Sequence, residues 1–438
     1  MKIKKSIFGG AVILGAGAFI AKLLGAIYRV PLTNLIGGYG LGLYQMVFPL
    51  YSVLLDFSGA GAPNALSKIV SSFPENEKDK NAKKVLFVSK RLFCLLGIVG
   101  TLIMALFSGL ISKGQGNVDA RFSYVTLAPA IVFVCLISCY RGYFQGYMDM
   151  TPTAISQICE QAVKITLGLI LVKLLISNTP LAVAGATFAI TVSEISAFIL
   201  LLLIYKKSQG ASGKITLNKT EFKSIAIGII KTALPVTLIG VIIPLSQIAD
   251  SFIIINMLKN YRADATALFG LFSGVACTVM NLPVSVCYGV STASVPAISS
   301  ESDKNARKRK AKKAIGITLL FSVPCALVCF FFSGSIISLL FKNLSVTEKE
   351  TASNLLKILS LGVVLLSLLQ TGNALLIGSG KTYRPIASLL VGAFLKIVLE
   401  LLLLKNPQIN VYAGAIALIA CYFTANLLNF IWIKTKGL

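Results

Sequence analysis

The 438-residue sequence contains no histidine, a single tryptophan, and only 16 acidic residues against 41 basic ones. The lack of histidine excludes imidazole acid–base chemistry, Ser-His-Asp triads and His-ligated metals together. Cysteine occurs nine times, but Cys94, Cys135, Cys139, Cys159, Cys277, Cys287, Cys325, Cys329 and Cys421 all lie in apolar stretches and none forms a Cys-x-x-Cys pair. A thiolate metal site or a disulfide framework is therefore not expected, and the thiols read as small core residues. No metal-ligand spacing, paired catalytic carboxylates or exposed nucleophile is found, so neither an enzyme nor a bound cofactor is expected.

Charge is scarce throughout, at 13% of residues, while 56% are apolar, which is the composition of an integral membrane protein. About 20 residues of helix cross a hydrocarbon core. On that measure the chain reads as twelve spans, at 7–28, 42–66, 85–111, 122–145, 153–176, 182–205, 225–255, 266–298, 314–341, 353–377, 383–404 and 412–433. The fold class is thus all-α and polytopic. The opening Met1-Lys2-Ile3-Lys4-Lys5 followed by an apolar run imitates a secretory signal, but the run continues to about Tyr28, as an uncleaved first span would.

A net charge of +25 would suit nucleic acid, yet the cations sit mainly in short loops between apolar runs, where membrane topology explains them. With the N-terminus inside, 26 of the 41 Lys and Arg fall on the cytoplasmic side and nine outside. The positive-inside rule then predicts a multi-pass protein of the cytoplasmic membrane with both termini cytoplasmic, with membrane lipids as its surroundings and no nucleic-acid partner. An internal repeat supports the same layout. Asp79 to Lys84 (DKNAKK) matches Asp303 to Lys308 (DKNARK), and Gly146 and Lys164 match Gly378 and Lys396 at a common offset. The expected organisation is two parallel six-helix lobes, 1–205 and 224–438, joined by a polar cytoplasmic linker at 206–223.

The chain is organised around Phe19 to Tyr51, where an apolar segment carrying Lys22 and Arg29 breaks at a Gly-rich turn and re-enters a second apolar segment. Seven residues apart on a helix, the two cations share a face. A cation at the bilayer centre costs about 2.5–3.5 kcal/mol on the mildest scale, so this face looks towards a bundle interior or a watery cavity. The residues AKLLGAIYRVPL, GLGLYQMVFPLY and, further on, AGAPNALSKIVS and YFQGYMDMTPTAISQ resemble the stage V sporulation protein B group. That group belongs to the multidrug/oligosaccharidyl-lipid/polysaccharide exporter superfamily, alongside the lipid II flippases. The resemblance covers the first half strongly and the second more loosely. It implies the exporter fold and a lipid-linked, anionic saccharide of cell-wall or other polysaccharide synthesis as substrate. It also implies a role in spore cortex formation. Members typically have fourteen spans. The twelve read here is the count of the drug-exporting branch.

The candidate substrate residues are Lys22, Arg29, Gln45, Asp56, Glu160, Lys164, Lys396 and Glu400. Lys22 and Arg29 suit an anionic headgroup; alternatively Arg29 snorkels to the interface and Lys22 pairs with Asp56. Glu160 with Lys164, and Lys396 with Glu400, are four apart and read as intrahelical ion pairs that either neutralise each lobe or exchange partners with a passing anion. Gln45, with Gln157, Gln161, Gln370, Asn373 and Asn426 among other amides at membrane depth, suits sugar hydroxyls or helix-to-helix bonds. Asp56, Glu194 and Asp250 are the candidate coupling-ion carboxylates. Gly378 to Thr382 (GSGKT) imitates a phosphate loop, but Leu375 stands where a glycine is required, so it reads as a tight turn. The leading expectation is a flippase for a polyprenyl-diphosphate-linked sugar working by alternating access, with wall-synthesis enzymes as partners. A cation-coupled exporter of small amphipathic compounds is the alternative, and a non-transporting membrane scaffold a third.

Overall fold

A computed structural model describes residues 7–59, 61–209, 217–299, 303–381 and 383–435. Part of the expected linker and the first six residues fall outside these. Among the described residues the chain is helical throughout: α1 (Ile7–Gly59), α2 (Gly61–Ser71), α3 (Glu75–Leu106), α4 (Ser108–Gly114), α5 (Arg121–Leu127), α6 (Ala130–Gly146), α7 (Thr151–Leu174), α8 (Thr179–Gln209), α9 (Lys219–Lys259), α10 (Ala265–Phe269), a π-helical segment (Gly270–Ala276), α11 (Cys277–Ser299), α12 (Lys304–Phe331), α13 (Ser333–Leu340), α14 (Val346–Gly378), α15 (Tyr383–Leu403) and α16 (Tyr412–Thr435). Among the described residues, ten helical stretches are long and apolar enough to cross a membrane. The two arms of α1, which cover the first two expected spans, stand apart from those ten. The Gly-rich turn expected between them is one residue deep. Gly37, with φ of 68° and ψ of −175°, breaks the helical path, and the helix resumes directly after it. A side chain would be strained at that φ.

The helices expose apolar side chains and turn their few charges inward. On α15, Phe394 is 71% exposed while Lys396, two residues on, is 2% exposed. Phe331 on α12 and Leu174 on α7 are likewise exposed. Hydrocarbon is the solvent in which such a surface is stable, and it obliges polar groups to find partners inside.

The chain forms two compact units. One takes the residues up to Tyr28 and Met46–Leu245; the other takes Arg29–Gln45 and the chain from Ser246 onwards. In the first unit α6 packs on α2, α3 and α8, and α7 packs on α8. Tyr124 and Gln115 both donate to the carbonyl of Met46, at 2.8 and 3.0 Å, fixing the second arm of α1 to α4 and α5. In the second unit α14 is central, packed by α11, α12 and α16. Hydroxyls hold these helices together. Thr371 of α14 bonds Thr318 of α12 at 2.8 Å and Ser291 of α11 at 3.2 Å, and Asn429 of α16 donates to Asn373 of α14 at 2.7 Å. Asn373 and Asn426 therefore act as ties between helices, the latter donating to the Leu365 carbonyl at 2.7 Å. Gly380, with φ of 77°, closes the turn after α14, as read for the GSGKT segment up to Lys381.

The bend of α1 belongs to this second unit. Asn34 donates to the Leu340 carbonyl at 2.8 Å, and Asn343 donates from its side chain to the Asn34 carbonyl at 2.9 Å. Below these bonds, α1 crosses the π-helical segment so closely that a Cβ on Gly270 would run into the Gly38 carbonyl and the Gly42 backbone. Gly270→Leu should therefore lower stability by about 1–3 kcal/mol, read as a fall in the thermal denaturation midpoint in detergent. Gly316→Leu, where no atom lies within 4 Å of an added Cβ, should leave the midpoint unchanged.

Candidate functional site

Each unit buries one cluster of charges, and in both the lysine matched by the internal repeat takes part. In the first unit, Glu160 and Lys164 lie one turn apart on α7 and Glu194 lies on α8. Glu160 pairs with Arg141 of α6 at 3.2 Å, and Arg141 also donates through Nε to Ser156 at 3.0 Å. Gln161 donates to the other carboxylate oxygen of Glu160 at 3.1 Å. Glu194 accepts from the Tyr51 hydroxyl at 2.7 Å and lies within electrostatic reach of Glu160, Arg141 and Lys164. The Lys164 ammonium stands over the Tyr28 ring, 6.0 Å from its centroid. Two cations and two carboxylates thus meet among α6, α7 and α8, and their charges balance.

Arg141 is the member that spacing along one helix does not find, because its partner Glu160 lies on α7. The signal was present: it stands inside the otherwise apolar α6, 16% exposed at its side chain. The cation bonded to Glu160 at 3.2 Å comes from a neighbouring helix, α6.

In the second unit, Lys396 and Glu400 of α15 meet Asp250 of α9. The Lys396 ammonium donates to both oxygens of Asp250 at 2.5 Å and to Ser246 at 3.1 Å. Glu400 stands 3.9 Å from the same ammonium, so the expected intrahelical pair is present but is the weaker of the two contacts. Lys396, Asp250 and Glu400 are 2%, 6% and 0% exposed.

Arg29 and Gln45, at the two ends of the α1 segment that joins this unit, both face the α10–α11 span. Arg29 donates through Nη1 to Thr278 at 2.7 Å, and Gln45 donates to the Ser273 carbonyl at 2.7 Å and its hydroxyl at 3.1 Å. Ser273 lies in the π-helical segment, whose wider turn leaves a carbonyl open for such a bond. Arg29 is half-buried, Gln45 buried, and Cys277 lies within electrostatic reach of Arg29, Lys396 and Asp250. Lys22 and Asp56 lie on α1, but their side chains fall outside the described residues.

Lys396→Met would leave two buried carboxylates without their cation. We expect it to cost about 3–5 kcal/mol. In thermal denaturation the Asp250→Asn/Lys396→Met double variant should recover part of that loss, because it removes the stranded charge.

Comparison with known proteins agrees with this arrangement. Residues 7–302 match the family model described as polysaccharide biosynthesis protein, and residues 235–402 match the MatE model. The chain is similar to the lipid II flippase MurJ of Bacillus subtilis strain 168, 25% identical across 97% of this chain and 82% of that protein. It is equally similar to stage V sporulation protein B of the same organism, at 25% across 97% and 83%. Among solved structures, an inward-facing multidrug resistance transporter superposes with a TM-score of 0.81 at 15% identity, over 95% of this chain and 94% of that one. The inward closed lipid II flippase MurJ gives 0.77 at 17%, over 97% and 89%. The fold is therefore common to flippases and drug exporters, and the chain belongs to the polysaccharide biosynthesis protein family of the multidrug/oligosaccharidyl-lipid/polysaccharide exporter superfamily, whose members are membrane transporters.

Proposed function

We propose that the protein flips a lipid-linked, anionic saccharide across the cytoplasmic membrane by alternating access, with Arg29 meeting the diphosphate. The observation that carries this reading is Arg29 itself: a half-buried guanidinium in an apolar helix, donating through Nη1 to the Thr278 hydroxyl at 2.7 Å. A polyprenyl diphosphate brings about two negative charges, which a guanidinium fork matches in geometry as well as sign. Lys22, one face with Arg29 by spacing, would extend the cationic surface, with Asp56 as its counter-charge. Gln45 would serve by fixing α1 against the π-helical segment. Gln157 and Gln161 keep buried side-chain oxygens without hydrogen-bond partners, suited to sugar hydroxyls. The Arg141–Glu160–Lys164–Glu194 cluster would neutralise its unit, Lys164 exchanging partners with the passing anion.

The wider layout is part of the same proposal. The two arms of α1 add to the ten apolar stretches to give twelve spans in two lobes, 1–205 and 224–438, and the distribution of Lys and Arg supports cytoplasmic termini. Enzymes of wall synthesis are proposed as partners, since they make and consume lipid-linked precursors. A second reading, a cation-coupled exporter of amphipathic compounds, is favoured by one observation: the acids of the second unit outnumber their lysine, with Asp250 a coupling candidate beside Glu194 and Asp56.

Reconstitution in vesicles with a fluorescent polyprenyl-diphosphate-linked sugar separates the two. The wild type should expose the lipid in the opposite leaflet, while Arg29→Ala and Lys22→Ala should fold and lose most of that activity. A wild type that moves no lipid above empty vesicles, yet moves a cationic dye along a proton or sodium gradient, would be the exporter.

A further inference from the structure

A π-helical turn is rare, and the one at Gly270–Ala276 is held in place by the bend of α1. A Cβ on Gly270 would run into the Gly38 carbonyl, and one on Gly274 into the Leu41 side chain, so α1 pins the segment at two places one turn apart. Between them Gln45, itself buried, donates to the carbonyl and the hydroxyl of Ser273 at 2.7 and 3.1 Å. One turn past Gly274, on α11, stands the buried Thr278, whose hydroxyl accepts from Nη1 of Arg29 at 2.7 Å. All of these residues belong to the second unit.

A π turn pairs each carbonyl with the amide five residues on, and so absorbs one residue more than an α turn. If the same residues closed as an α-helix, α11 would turn by about 100° and advance by about 1.5 Å against the part pinned at Gly270. Thr278 would then leave Arg29. The open turn is what sets this hydroxyl against the guanidinium, and the Gln45 amide occupies the carbonyl that the wider turn exposes. A guanidinium held at one nitrogen gives up rotamer freedom before a ligand arrives, which favours two-pronged binding of phosphate oxygens. We propose that Gln45 and Thr278 are positioning residues for anion recognition. Gln45 keeps the π turn open, the turn keeps Thr278 on Arg29, and Thr278 orients the guanidinium for the diphosphate. Gln45 thereby acts on the headgroup without touching it. The recognition half rests on the flippase reading above; the link from Gln45 to Arg29 does not.

The link is visible without transport. Phenylglyoxal modifies arginine side chains, and mass spectrometry of the purified protein in detergent reads its rate at Arg29 against Arg141 of the first unit. Thr278→Val, which keeps the shape and removes the hydroxyl, should speed labelling of Arg29 alone by about five- to tenfold, the worth of one hydrogen bond. Thr278→Ser should restore the slow rate. Gln45→Leu should speed labelling as Thr278→Val does, and the double variant should be no faster than either single one, because both changes break the same contact. An unchanged rate in Gln45→Leu, or effects that multiply in the double variant, overturns the link; labelling that rises equally at Arg141 reports a lost fold and overturns it too. In the vesicle assay, both single variants should raise the lipid concentration for half-maximal flipping and leave the maximal rate close to that of the wild type. A lower maximal rate at unchanged half-saturation overturns the recognition role. If labelling behaves as expected and the wild type moves no lipid, the flippase reading fails and the link from Gln45 to Arg29 stands.

Discussion

The constraint on which the rest depends is that a charge carried into hydrocarbon must be met inside the protein. Fifty-three residues of α1 run with a single break, and the faces of α12 and α15 that point outwards are phenylalanine and leucine. Glu400 of α15 is therefore left to the interior of its unit. The Lys396 ammonium resolves this on α15 by spending all its protons on Asp250 and Ser246, which draws α9 against α15. Arg141 does the same between α6 and α7. The buried charges are thus ties that hold helices together.

The two units solve the same problem with different accounts of charge. In the first, two cations face two acids, and the tyrosine hydroxyl of Tyr51 completes Glu194. In the second, one lysine faces two acids. The internal repeat places a lysine at the matched position of α7 and α15, but the neighbours differ, and the difference leaves the second unit with chemistry that the first lacks. The α1 segment that joins the second unit adds a guanidinium there, bonded to Thr278.

Much of the helical layout was legible because apolar length is a direct record of bilayer thickness. The expected spans 383–404 and 412–433 coincide closely with α15 and α16, and 153–176 with α7. The break at the Gly-rich turn was legible too, since the φ and ψ pair found at Gly37 is one that glycine adopts and side chains resist. Partners were less so. Spacing along a helix finds Lys396 beside Glu400, but it is blind to the shorter bond from Asp250, 146 positions away, and to Arg141 reaching Glu160 across two helices. The π-helical segment was invisible for the same reason: its extra turn is stabilised by Gln45, a residue 228 positions from Ser273. The assignment of Arg29–Gln45 to the second unit likewise follows from tertiary bonds of Asn34 and Gln45 rather than from any local pattern.

Fold likeness alone does not choose a substrate, since a drug exporter and a lipid flippase superpose on the chain comparably. Headgroup charge does. The most direct measurement is the retention of three polyprenyl lipids by the intact protein in nanodiscs, followed by native mass spectrometry: the diphosphate, the monophosphate and the uncharged alcohol. Recognition through Arg29 predicts retention falling in that order, with the diphosphate preference lost in Arg29→Ala. Equal retention of all three lipids would contradict it.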